Sequence, residues 1–123
     1  MDVNLINIMS LAYLGDAVYE LFVREHLLKK GIAKVEELQR EAVKYVSAKN
    51  QCKILTYLID NNLLTGEELE IVKRGRNYKR ASHPKNTDIV TYKISSGFEA
   101  LIGYLYLENK TDRMEEIINY IIG

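Results

Sequence analysis

Tryptophan is absent from this chain, proline and cysteine occur once each, and histidine occurs twice. The single cysteine, Cys52, cannot make an internal disulfide, and nothing around it has the spacing of a zinc site, so a reducing compartment is expected. One proline, Pro84, leaves long stretches in which a helix can run uninterrupted. Strand-like alternation is nearly absent too, and apolar residues recur at helical spacing instead. No apolar run reaches the ~20 residues a bilayer requires, and no basic segment followed by an apolar core opens the chain. A cytoplasmic protein without a membrane segment is the expectation. Net charge is zero, which by itself argues neither for nor against nucleic acid.

What is there is a chain of 123 residues, 47 % apolar and 28 % charged, long enough for one compact domain and too short for two. The expectation is a single all-α domain over residues 1–123. A helix is predicted from Asn4 to Lys30, restarting at Ser10 and stopped by Gly31. A second helical region runs from Ala33 to Asn61, divided near Ser47-Ala48-Lys49-Asn50. Thr65-Gly66-Glu67-Glu68 reads as a capping box for a helix reaching Arg74 or Tyr78. Gly75 to Thr87 reads as a loop, with Pro84 disfavouring helix at His83 and Asn86 or Thr87 capping the next helix. That helix runs from Asp88 to Leu107, Asn109-Lys110-Thr111 turns, and a last amphipathic helix covers Asp112 to Ile122.

Two stretches break the apolar pattern in the same way. In Leu11-Ala12-Tyr13-Leu14-Gly15-Asp16-Ala17-Val18-Tyr19-Glu20, a carboxylate stands on a helix that should be buried nearly all round. An unpaired buried carboxylate costs several kcal/mol, roughly, or neutralises, so Asp16 needs a cation, a donor or open water. Gly15 beside it is a weak helix former and, with Ala12, leaves a bare patch on which another helix can lie close. In Ser96-Gly97-Phe98-Glu99-Ala100-Leu101-Ile102-Gly103-Tyr104, the acid is Glu99 and the small residues are Ala100 and Gly103. If the two small patches meet at a crossing, Asp16 and Glu99 come within reach of one ion. Mg²⁺ is commonly held by one or two carboxylates plus water and substrate phosphate, so the chemistry implied is attack on a phosphate ester.

LAYLGDAVYE resembles the signature helix of the ribonuclease III family, and SSGFEALIGYLYL resembles its second catalytic helix. RGRNYKRASHPKNTD between them is similar to the short branch of that family called Mini-ribonuclease III, which has the nuclease domain alone. The likeness covers essentially the whole chain. It implies an all-α helical-bundle endonuclease domain that forms a homodimer, sets two sites along double-stranded RNA and uses Mg²⁺ to leave a 5′-phosphate and a 3′-hydroxyl. Precursors of large-subunit (23S) ribosomal RNA are the implied substrate class, with a ribosomal protein as a candidate cofactor. Asp16 matches the aspartate of the family's Gly-Asp pair, and Glu99 the glutamate of its Glu-Ala-Leu-Ile-Gly run, both metal ligands. The chain departs from longer members at Ala12, where they carry glutamate, and at Ser96, where they carry aspartate. Ser96 and Glu20 are candidates for contacts one layer out from the ion, with Glu36 and Glu37 behind them.

Neutrality of the whole hides a strong asymmetry. Lys73, Arg74, Arg76, Lys79, Arg80 and Lys85 fall within thirteen residues that contain no acid, so the other 110 residues carry a net charge of minus six. Cations in a loop bind phosphates without reading sequence, and duplex RNA is recognised mostly through its backbone and 2′-hydroxyls. Arg74, Arg76, Lys79, Arg80 and Lys85 are therefore assigned to RNA, taking over part of the work of the double-stranded-RNA-binding domain that longer members add. Tyr13, Tyr19, Tyr104 and Tyr106 are expected in the core or the dimer seam, and Cys52 in the interior. Two rival readings stand beside the nuclease. One is a non-catalytic RNA-binding or ribosome-associated module of the same fold. The other is an all-α nucleotide pyrophosphohydrolase, whose acids would be sought at Glu67-Glu68-x-Glu70 and Glu115-Glu116.

Overall fold

The computed structural model describes residues 1–79 and 88–122. After a 3-10 turn at Val3–Leu5 come six α-helices: α1 (Ile8–Lys29), α2 (Val35–Val46), α3 (Ala48–Asp60), α4 (Gly66–Asn77), α5 (Ile89–Leu107) and α6 (Thr111–Ile122). No strand occurs among the described residues.

The boundaries have local causes. Asn7 caps α1 by accepting from the Met9 N–H at 2.8 Å, and Gly31 ends the segment in the left-handed region at φ 95°. Ser47 both ends α2 and caps α3, so one residue divides the second helical region near the predicted place. The capping box forms as read: Thr65 Oγ1 accepts from the Glu68 N–H at 3.1 Å, and Glu68 Oε1 accepts from the Thr65 N–H at 2.9 Å. Asn62 and Asn109 take positive φ, as the reading of turns at those places requires. Three boundaries differ from expectation. The first helix, expected from Asn4 with a restart at Ser10, is a 3-10 turn at Val3–Leu5 followed by a helix capped at Asn7. The helix begun at Thr65 runs to Asn77 with Tyr78 as its cap, the longer of its two expected ends, so the loop expected from Gly75 starts later. Asp88 caps α5, its carboxylate accepting from the Thr91 N–H at 2.9 Å and the Thr91 hydroxyl at 2.7 Å. The predicted caps Asn86 and Thr87, with His83 and Pro84, lie outside the described residues.

Helix α5 is the axis of the bundle. From Ser95 to Leu105 every residue except Glu99 is buried, because α1, α3, α4 and α6 all pack on it. Two glycine crossings make that possible. A Cβ built on Gly15 would overlap the carbonyl of Glu99, and one built on Gly103 would overlap the carbonyl of Leu11, so α1 and α5 touch backbone to backbone. On another side of α5, a Cβ at Gly97 would come 2.7 Å from the Val72 carbonyl oxygen, and one at Gly75 would come 2.9 Å from the Gly97 Cα. Gly15 and Gly103 do meet, as the two small patches require, but the Ala100 Cβ lies against the Gly75 position of α4. The Gly75/Gly97 contact is not legible in the sequence, where Gly75 reads as the start of a loop.

Tyr19 and Phe98 stack edge to face across the same interface, with centroids 5.0 Å apart, and the Tyr19 hydroxyl donates to the Tyr45 carbonyl at 3.1 Å. Tyr104 is likewise buried, its hydroxyl donating to the Glu67 carboxylate. Tyr13 and Tyr106 are exposed rather than in the core of this chain. Cys52 is only half-buried, because α3 turns the neighbouring Gln51, and not Cys52, into the interior.

Candidate active site

The Gly15–Gly103 crossing fixes where the two odd carboxylates lie. Asp16 follows Gly15 on α1, and Glu99 precedes Gly103 by one turn on α5, so the contact that excludes a Cβ also draws these two side chains together. Asp16 lies near enough for its carboxylate to act on that of Glu99. Asp16 reaches the site from an exposed position, while Glu99 is half-buried. Burial first, and then the hydrogen bond and like charge of Asp16, push the Glu99 carboxyl up from the ordinary range to about 8; a hydrogen bond from Gln51 opposes the rise.

Gln51 was missed by sequence reasoning. It is 1 % exposed on α3, and its Nε2 donates to the Val46 carbonyl at 3.0 Å and to Glu99 Oε2 at 3.4 Å. Its Oε1 is buried with no partner among the described residues. A signal for it existed: Gln51 stands four and seven residues before Leu55 and Leu58, on the buried stripe of α3. It breaks an apolar face just as Asp16 and Glu99 do.

This donor set suits a hard divalent cation. Two carboxylates of like sign held near one another are short of positive charge, and the amide of Gln51 beside Glu99 supplies none. No group of three or more Asp, Glu, His or Cys side chains placed to hold a metal ion occurs among the described residues.

The other candidates are distributed as follows. Ser96 is buried, and its carbonyl oxygen lies against the Gly75 position of α4. Glu20 accepts from Arg24 Nη2 at 2.9 Å and lines a groove between α1 and α2. Glu36 and Glu37 stand in the first turn of α2, where they complement the helix dipole. Arg74 and Arg76 are exposed in the last turn of α4, Lys79 is exposed just beyond it, and Lys73 lies 3.7 Å from Glu70. Arg80 and Lys85 lie outside the described residues.

The acids a pyrophosphohydrolase would need have other partners. Glu68 is clamped by Arg113, Glu67 takes the Tyr104 hydroxyl and lies 3.6 Å from Lys110, and Glu116 pairs with Arg113. That reading loses its site.

Comparison with known proteins agrees with this geometry. The Ribonuclease III domain family matches residues 9–110. The chain is similar to Mini-ribonuclease 3 of Streptococcus pneumoniae, 46 % identical over 122 residues that cover 99 % of this chain and 95 % of that one. It is as similar to Mini-ribonuclease 3 of Staphylococcus aureus, 46 % identical over 120 residues that cover 98 % and 90 % of the two chains. A crystal structure of a protein from Fusobacterium nucleatum superposes with a TM-score of 0.85 at 33 % identity, over 98 % of this chain and 95 % of that one. A signature helix crossing a second acidic helix at paired glycines, a matching family domain over most of the length and relatives sharing close to half of all residues together place this chain in the ribonuclease III family, in its Mini-ribonuclease III branch.

Proposed function

We propose that this chain, an endoribonuclease of the ribonuclease III type, hydrolyses phosphodiester bonds in double-stranded RNA at a Mg²⁺ site formed by Asp16 and Glu99. The observation that carries the reading is the convergence of these two acids at a backbone-tight crossing, where the partners of Glu99 are another acid and a neutral amide. When bound, the ion supplies Lewis-acid polarisation of the scissile phosphate and lowers the pKa of a water to the nucleophilic range. The protein's own part is to hold two carboxylates at one place, one exposed toward substrate and one half-buried against α3. Products carry a 5′-phosphate and a 3′-hydroxyl.

The substrate is structured RNA, with the large-subunit (23S) ribosomal RNA precursor as the natural case and a ribosomal protein as a candidate cofactor. Arg74, Arg76, Lys79, Arg80 and Lys85 bind the phosphate backbone. The working unit is a homodimer in the cytoplasm, because a duplex has two strands and each chain has one site. Tyr13, 84 % exposed on the same helix as Asp16, is an apolar side chain that a second copy would cover. No helix among the described residues is long and apolar enough to cross a membrane.

The test is incubation of a long RNA duplex with Mg²⁺ and the parent protein, Asp16→Asn or Glu99→Gln. Cleavage by the parent alone, with 5′-phosphate ends and both variants folded, is the expected outcome. A parent that binds duplex RNA without cutting it would leave the non-catalytic module as the reading.

A further inference from the structure

We propose that Gln51 is a positioning residue for this reaction: its side-chain amide holds the Glu99 carboxylate in the orientation from which it ligates a divalent cation. The inference rests on the reading of Asp16 and Glu99 as the ion's ligands, and it adds a third side chain from a third helix.

Three observations on α3 carry it. Gln51 is 1 % exposed and shares its stripe with Leu55 and Leu58, so a polar side chain here has to be justified by what it touches. The Val46 carbonyl settles which end of the amide is nitrogen, because a carbonyl can only accept and Nε2 lies 3.0 Å from it. With one N–H spent there, the second faces Glu99 Oε2 at 3.4 Å, at the long end for a hydrogen bond. Such contacts shorten when the acceptor carries full charge, which is the state of a carboxylate on a cation.

The anchoring is asymmetric in a useful way. Val46 ends α2, so Gln51 is fixed to the backbone at one point and reaches Glu99 from that point. A charged donor in its place would compete with the cation, whereas an amide orients the carboxylate and adds no charge. The remaining atom, Oε1, is buried without a partner among the described residues.

If Gln51 merely closed the α2–α3 junction, only the Val46 contact would matter, and metal binding would be indifferent to the rest of the side chain. Gln51→Met keeps the volume and removes every polar atom; Gln51→Leu removes every polar atom in a shorter, stiffer side chain. Both are to be compared with the parent by thermal unfolding, by calorimetric titration with Mg²⁺ and by duplex RNA cleavage at varied Mg²⁺. In variants that stay folded, the expected result is a Mg²⁺ constant weakened roughly tenfold to a hundredfold. KM for RNA at saturating Mg²⁺ stays as in the parent. Folded variants that titrate with Mg²⁺ as the parent does would overturn the role. A measurement on the parent decides the matter even if neither variant folds. The Gln51 side-chain amide resonances should move as Mg²⁺ is added and saturate with the calorimetric constant. An amide that stays still while the parent binds Mg²⁺ removes Gln51 alone. A parent that binds no Mg²⁺ removes the reading beneath it as well.

Discussion

At Gly15 and Gly103 a single methyl group decides whether the site exists. A Cβ at either position would lie inside a carbonyl of the opposing helix, and backbone cannot swing aside as a side chain can. Gly15→Ala should therefore destabilise by about 2–3 kcal/mol or more, as overpacking of a close crossing does, which at this size lowers the melting midpoint by roughly 10 °C. Activity should fall further than stability, since separating α1 from α5 parts Asp16 from Glu99 without altering either. Gly66→Ala is the control. Nothing lies within 4 Å of its Cβ position, at the start of α4, so the change should be neutral or stabilising by up to about 1 kcal/mol. Differential calorimetry on both variants checks the pair. Asp16 was legible because it is a charge among apolar neighbours. Gln51 obeys the same logic, but it is neutral, and it stands out less in a stretch that reads as a helix junction.

At the scale of elements, Glu68 and Arg113 fasten α6 to the start of α4. Arg113 donates through Nε and Nη2 to the two Glu68 oxygens, each at 2.8 Å, and through Nη2 to the Leu63 carbonyl at 2.6 Å. Burial works to raise the Glu68 carboxyl, but Arg113 and the Thr65 contacts outweigh it and hold the group below its ordinary value. Its folded pKa is thus depressed, so its contribution is fully present above the unfolded pKa and is lost as pH falls through the folded one. Glu68→Gln, which leaves Glu116 as the carboxylate on the half-buried Arg113 guanidinium, should cost about 1.5–3 kcal/mol at pH 7, the range for hydrogen bonds to a charged group. That cost should shrink in melting curves taken at pH values below the ordinary glutamate range, as the parent's own depressed carboxyl becomes protonated. The capping box at Thr65 and Glu68 was readable from four residues. The partner Arg113 was not, because 45 positions separate it from Glu68 and only the fold brings them together.

At the scale of the molecule, charge is divided between a basic end of α4 and an acidic remainder. Neutralising Arg74, Arg76 and Lys79 together should weaken duplex RNA binding and reduce the slope of log affinity against log salt by up to about one for each cation that touches a phosphate. Binding isotherms at several salt concentrations read this directly, and an unchanged slope would remove these residues from the interface. Mg²⁺ should raise the melting midpoint of the parent, since anything that binds the folded state alone stabilises it. The rise should vanish in Asp16→Asn, and a rise that survives would move the ion elsewhere. Sedimentation should return twice the mass of one chain.

Short-range causes are written in the sequence itself. Helical periodicity, caps at Asn7, Ser47 and Thr65, left-handed stops at Gly31, Asn62 and Asn109, and two acids beside small residues need no partner more than a few positions away. Tertiary packing alone decided three things. It chose between Arg74 and Tyr78 as the end of α4, carrying the helix past Gly75 because that glycine lies against Gly97 of the axial helix. It left Tyr13 and Tyr106 outward, because the core was already filled by Tyr19, Phe98 and Tyr104. It also brought Gln51 to Glu99, across 48 residues of chain, because α3 packs on α5 at the level where the carboxylates meet. Local patterns arise from backbone geometry over three or four residues, whereas the identity of a distant neighbour is fixed only when whole helices find the one crossing their side chains permit.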